Sequence, residues 1–214
     1  MTNPYARLAA AAAEWDELRP RLAPTALRQL ALLLAALRLA KGDASERAAL
    51  LAARLLGEQL PDRFPGESRL ATTATAPTAG HLGFVADDLA VLVLDGHRMV
   101  GPVLGEVRDR LLAVPAVGDA EALEGGCDPY EPGLIRLRGT GGFVQLPSFQ
   151  FTAGGRPRPV VREVNLLLGA GQDPWGVADW WLSPNAALDA VPADLLDGPG
   201  EDALLPAARH HLGS

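Results

Sequence analysis

Asp173-Pro174 and Pro184 leave room between them for one short helix and nothing longer. An aspartate at the N-cap accepts a hydrogen bond from a first-turn N–H, and proline suits the first helical position. The residue before Pro184 is pushed out of the helical region, so the helix has to stop there. At about 100° per residue, Val177, Trp180, Trp181 and Pro184 share one face at the i, i+3, i+4, i+7 spacing. Trp175, Ala178 and Leu182 form a second apolar face, with only Gly176 and Asp179 between them. A helix apolar on two sides is buried on both or offers one to a partner. The first face fits core packing as well as it fits contact, because tryptophan buries so much area. The second face, with Trp175 and Leu182, is the better partner candidate, since tryptophan is enriched among interface hot spots.

The remaining composition favours helices packed through small side chains. Of 214 residues 48% are apolar, largely Ala and Leu, while aromatics make up only 5%. One lysine, Lys41, stands against eighteen arginines, which reads as genome composition and not as nucleic-acid design. Net charge is -7, and no region forms a basic face broad enough to follow a phosphate backbone unaided. The single cysteine, Cys127, permits no internal disulfide and reads as an inert loop thiol in a reducing compartment. No cationic start followed by an apolar run marks a signal peptide. The most apolar segment, Leu30 to Ala40, contains Arg38 and falls short of the ~20 residues that span a bilayer. A cytoplasmic protein without membrane partners is expected.

The fold class expected is mainly α with a small β-hairpin. Residues 1–60 read as three helices forming a bundle or dimerisation unit, hence a homo-oligomer. Asn3-Pro4 opens the first, which runs through Trp15 to about Arg19. Thr25 caps the second, with Leu27, Leu30, Leu33, Leu34 and Leu37 on one stripe, ending near Gly42. Asp43 and Glu46 resemble a capping box for the third, whose core stripe reads Leu50, Leu51, Leu55 and Leu56. Arg28, Arg38, Arg47 and Arg54 beside these stripes read as a solvated face.

Residues 61–83, rich in Pro, Gly, Thr and Ala, read as a linker or long loop with His81 near its end. Residues 84–130 allow two readings. Leu89 to Leu94 is either the first helix of a helix-turn-helix-like pair around Asp95-Gly96 or a buried strand. The following helix, through Val103, Leu104, Val107, Leu111 and Leu112, opens without the Arg, Asn or Gln that reads bases, so DNA binding is weakly supported.

Residues 131–214 form the last segment. Leu134 to Arg138, the Gly139-Thr140-Gly141-Gly142 turn and Phe143 to Leu146 spell a hairpin. The glycines are no phosphate loop, since no Lys-Ser or Lys-Thr follows. A helix from Pro157–Pro159 through Val160, Val161, Val164, Leu167 and Leu168 closes at Gly169 to Gly171. Pro206 interrupts a last helix over 201–212 and predicts a kink or a late start.

The pattern Trp180-Trp181-x-x-Pro184-Asn185-x-x-Leu188, then Pro192-x-Asp194-Leu195-Leu196-x-Gly198, resembles the toxin-binding domain of Xre/MbcA/ParS-type antitoxins. The upstream Leu146-Pro147-x-Phe149-Gln150-Phe151 resembles the family's Pro-x-Phe-Gln element, and the likeness covers about residues 131–212. Trp180 takes the family tryptophan position, while Trp181 stands where an aliphatic residue is usual. Between Leu188 and Pro192 this chain has only Asp189-Ala190-Val191, shorter than the family pattern. The resemblance implies a non-catalytic antitoxin that binds and blocks a RES-type, NAD-consuming toxin and regulates its own operon, with no cofactor. An acidic chain suits a cationic toxin cleft. By this likeness Trp175, Trp180, Leu182, Asn185, Arg209 and His210 are the partner-contact candidates, with His211 beside them. Val177, Trp181, Pro184, Leu188, Pro192, Leu195 and Leu196 hold the motif together. The alternative is a scaffold or regulator that reuses the domain for another protein partner.

An enzyme is not expected. Glu106 with Asp109, or Asp87 with Asp88, would be its best support as paired carboxylates, and such spacing usually gives solvated charges. The four histidines, at 81, 97, 210 and 211, have no metal-ligand spacing, and there is no Gly-x-Ser-x-Gly elbow.

Overall fold

The computed structural model describes residues 3–65 and 83–213. These are mainly α-helical, with one small three-stranded antiparallel sheet. Two compact units divide between Glu106 and Val107.

In the first unit, helix α1 (Pro4–Ala13) starts where Asn3 Oδ1 accepts the Tyr5 N–H at 3.0 Å. A turn at Glu14 separates it from α2 (Trp15–Leu18), so the continuous helix to Arg19 expected from the sequence is broken in two. Helix α3 (Pro24–Leu39) begins on Pro24 with Ala23 as N-cap. Thr25 therefore lies inside the first turn and does not cap it, because the proline already sets the start. Helix α4 (Asp43–Gln59) is capped by Gly42 at φ 58. Asp43 and Glu46 fall in its first turn, where they favour the helix dipole without forming the expected capping box.

The core stripe of α4 differs from the leucine reading. Ala48, Ala49, Ala52, Ala53 and Leu56 are buried, while Leu50 and Leu51 are 52% and 51% exposed. Helix α4 packs on α3 and α1, and an alanine face lets helix axes approach closely. On α3 the expected stripe holds: Leu30 and Leu34 are fully buried, and Leu27, Leu33 and Leu37 pack partly against them.

Arg38 is a second correction. Its side chain is only 11% exposed and ties α3 to the next helical segment. That segment is α5 (Ala86–Ala90), continued by a π-helical turn over Val91–Asp95 and ended by Gly96 at φ 73. The strand alternative for Leu89 to Leu94 is thereby excluded. Arg38 Nε lies 2.9 Å from Asp87 Oδ1, and Nη1 donates to Asp95 Oδ1 at 3.0 Å. Burial pushes the guanidinium pKa down, but the bonds to Asp95 and Asp87 outweigh it and leave it raised. Arg28, Arg47 and Arg54 are exposed, as a solvated face requires.

Residues 61–65, expected as the start of a linker, fold onto this unit. Phe64 is buried, Arg63 pairs with Glu14, and Arg21 Nη2 lies 2.7 Å from Asp62 Oδ2. The rest of the expected linker, His81 included, lies outside the described residues.

The division between units falls within α6 (Gly101–Leu112), whose Leu111 is fully buried. In the second unit β1 (Ala116–Gly118) precedes α7 (Asp119–Glu124), and β2 (Leu137–Arg138) and β3 (Val144–Pro147) follow. The sheet order is β1-β3-β2, with Val117 opposite Leu146 and Leu137 opposite Gln145. The hairpin is present, though its first strand is shorter than expected and β1 is an unforeseen third strand. Leu134 and Ile135 drop out of the ladder because the Gln150 side chain takes both backbone groups of Ile135, at 2.7 and 3.0 Å. Gly141 and Gly142 turn the hairpin at φ 86 and 82, in the left-handed region that favours glycine.

Helix α8 (Pro159–Leu168) stops at Gly169, φ 78, and buries Val161 and Val164 completely. Helix α9 (Pro174–Leu182) lies within the predicted limits. Helix α10 (Leu204–Gly213) packs on α8. Pro206 is its third residue, in the first turn where an N–H has no intrahelical acceptor, so the α-helix starts late after a 3-10 turn over Glu201–Ala203.

Candidate partner-docking site

Helix α9 is set by its ends. Asp173 Oδ1 accepts the Gly176 N–H at 2.9 Å, and Pro174 occupies the first position. Its first face is core as read: Val177 is 4%, Trp180 8% and Trp181 0% exposed. The second face is buried too. Trp175 is 9% exposed and Ala178 is fully buried, so the helix packs on both sides and Trp175 is not an open surface anchor. Leu182 is half-buried, and its carbonyl accepts from Arg110 Nη1 at 3.3 Å. Pro184, grouped with the core face by spacing, is exposed because the helix ends before it.

Beneath the helix lies a buried polar network. Trp181 Nε1 donates to Asn165 Oδ1 at 2.7 Å. Asn165 Nδ2 donates to the Gly133 carbonyl at 2.7 Å and to Gln150 Oε1 at 3.2 Å. Gln150 in turn holds Ile135, and both amide side chains are fully buried. Every member is satisfied, which is the condition under which buried polar groups specify one packing. Phe149 packs tilted against Trp181 with ring centroids 5.3 Å apart, and Trp180 meets Trp181 edge-on at 5.1 Å. The upstream Phe-Gln element and the tryptophan pair are thus one physical unit. Asn165 is invisible to periodicity, which marks it only as a polar residue in a helix.

Arg158 is another residue that sequence reasoning passed over. Its Nε donates to the Phe149 and Phe151 carbonyls, each at 3.1 Å, and its Nη1 pairs with Asp197. It therefore joins the Phe149-Gln150-Phe151 segment to the turn that closes the second half of the motif. Asp197, at φ 60, has its carboxyl pKa held below the usual value by the Arg158 bond. In that second half Pro192 is buried and opens a 3-10 turn over Pro192–Leu195, while Leu188, Leu195 and Leu196 are half-buried. Asn185 shapes the preceding turn: Oδ1 accepts the Ala187 N–H, and its own N–H donates to Ala190, both at 2.9 Å.

Above α9 these elements enclose an open groove of about 540 Å³. Trp180 and Asp179 form one side, Asn185 and Ala187 another, and His210 and His211 of α10 close it. Asp179 is oriented by Arg110 and by Ser183 Oγ, which donates to it at 2.9 Å. The Trp180 indole N–H at this wall is buried without a hydrogen-bond partner among the described residues. Of the six contact candidates, Trp180, Asn185 and His210 line the groove; Trp175, Leu182 and Arg209 do not, although Arg209 is exposed. Trp180 and Asn185 of one segment and His210 of α10 come together here.

Cys127 is buried and its Sγ lies 3.6 Å from the Asp128 carbonyl. Burial first, then Glu131 and Asp128, push its thiol pKa up. Among the described residues no set of His, Cys, Asp and Glu side chains is grouped to hold a metal ion, and no helix is long and apolar enough to cross a membrane. Comparison with protein families, curated proteins and solved structures finds no match to this chain.

Proposed function

We propose that this chain is a non-catalytic, antitoxin-like binding protein whose C-terminal unit docks on and blocks a RES-type, NAD-consuming toxin. The observation that carries the reading is the convergence of Trp180, Asn185 and His210 on one open groove. Trp180 and Asn185 hold motif positions, and His210 comes from the C-terminal helix beyond the motif. The polar network from Trp181 through Asn165 to Gln150 supports it further, since it ties the tryptophan pair to the upstream Phe149-Gln150-Phe151 element, which Arg158 joins to Asp197 in the second half. A preformed concave surface binds without first ordering itself, and so keeps more of its contact energy as affinity.

In this reading Trp180 is the groove wall, Asn185 holds the turn at its rim, and His210 and His211 supply polar contacts. Trp175 and Leu182 support the helix from within. The test is co-expression with a RES-type toxin, scored by cell survival and by co-purification. Ala187→Arg and His210→Glu alter the groove without touching the core. Both are expected to abolish rescue and capture while leaving the circular dichroism spectrum unchanged. Full rescue by both folded variants sinks the proposal.

A further inference from the structure

Leu32 and Leu51 are 72% and 51% exposed, although they belong to the two longest helices of the first unit. With the half-buried Leu33 and Leu55 they line an apolar groove of about 490 Å³ between α3 and α4. Among the exposed residues, Leu32, Ala36 and Leu39 on α3 and Arg47, Leu51, Arg54 and Glu58 on α4 each follow one helical row. Residues at i, i+4 and i+7 form the ridge that one helix presents to another.

We propose that this α3–α4 face is where two copies of the chain associate, each hairpin of helices packing on its equivalent. The rim argues for a second copy over a partner of strong charge. Arg54 and Glu58, 2.8 Å apart on the same groove, place both signs side by side. A two-fold axis through the groove sets this rim against an identical one, where each charge meets its opposite. Residues 1–60 carry eight basic and six acidic side chains, so they lack the excess charge that would repel a like surface or select an oppositely charged one. Two helix pairs that pack the Leu32, Ala36 and Leu39 row and Leu51 inward, with Arg54 and Glu58 at the edge, give a four-helix arrangement, a common way to bury such a face.

Sedimentation of the full-length chain over a concentration series tests this. The wild type is expected to dimerise, and Leu32→Glu and Leu51→Glu to raise the dimer dissociation constant roughly a hundredfold at unchanged helical content, as central interface anchors do. Arg54→Glu weakens the dimer about tenfold, and adding Glu58→Arg restores it. Should either leucine variant fail to fold, the exposed rim pair decides. A wild type that stays monomeric overturns the proposal. So do folded leucine variants that dimerise as tightly as wild type, or a charge swap that restores nothing.

Discussion

Trp181 donates its indole N–H to the Asn165 amide oxygen at 2.7 Å, and neither side chain has any exposed surface. Through Gln150, that one bond connects α9 to the segment before α8 and to the backbone at Ile135. Removing one partner of a buried bond strands the other, at a cost of about 1–3 kcal/mol per group. Asn165→Ala strands the Trp181 N–H and opens a cavity as well. It is expected to lower unfolding stability by about 3 kcal/mol, read from urea denaturation. The two tryptophans separate the bond from mere volume. Among the described residues the Trp180 indole N–H has no hydrogen-bond partner to lose, so Trp181→Phe should cost about 2 kcal/mol more than Trp180→Phe. Equal costs would mean that the network contributes nothing beyond packing.

Arg38 pairs with the buried Asp95 and also holds Asp87. Breaking a buried pair from one side is expected to cost about 3–5 kcal/mol, because a charge is left in low dielectric. Arg38→Met should therefore destabilise the first unit strongly, whereas Arg28→Met on the solvated face should stay within about 0.5 kcal/mol. Thermal melts of the two variants make the comparison.

The α4 alanine stripe reverses the usual ranking of apolar residues. Ala52 is fully buried while Leu50 is half exposed. Ala52→Leu is expected to overpack and destabilise by about 1–3 kcal/mol, and Leu50→Lys to be nearly neutral. A destabilising Leu50→Lys with a tolerated Ala52→Leu, in denaturant titrations, would return the core to the leucines.

Asp197 and Arg158 make a pH-dependent clasp at the motif's second half. The bond from Arg158 lowers the Asp197 carboxyl pKa from its ordinary 3.8 in the folded chain. A depressed folded value means that the clasp contributes fully above the ordinary carboxylate pKa and is lost as pH falls through the folded one. Carboxyl carbon NMR should place the Asp197 midpoint below 3.8, and Arg158→Gln should raise it toward that value. An unmoved midpoint would show that the pair is solvent-separated.

Cys127 offers a probe of local opening. Burial and the nearby Glu131 and Asp128 raise its thiol pKa, and thiolate is the reactive form. Slow reaction with Ellman's reagent in native buffer and fast reaction in urea are expected. Rapid native labelling would show that the Cys127 site opens readily.

The legible features of this chain were those decided within a few residues. Asp173-Pro174 started α9, Gly169 ended α8 and Asn3-Pro4 opened α1, because a cap or a left-handed glycine depends only on neighbouring backbone groups. Periodicity likewise placed Leu30, Leu34, Val177 and Trp181 in the core. Tertiary structure decided the rest. Whether Ala52 or Leu51 faces inward depends on how closely α3 and α1 approach, and Trp175 is enclosed only because α9 packs on both sides. The roles of Arg38, Asn165 and Arg158 were set by partners at Asp95, Trp181 and Asp197, separated by 57, 16 and 39 positions. A polar side chain carries no mark of a distant partner in its local pattern; the fold supplies the partner, and with it the role.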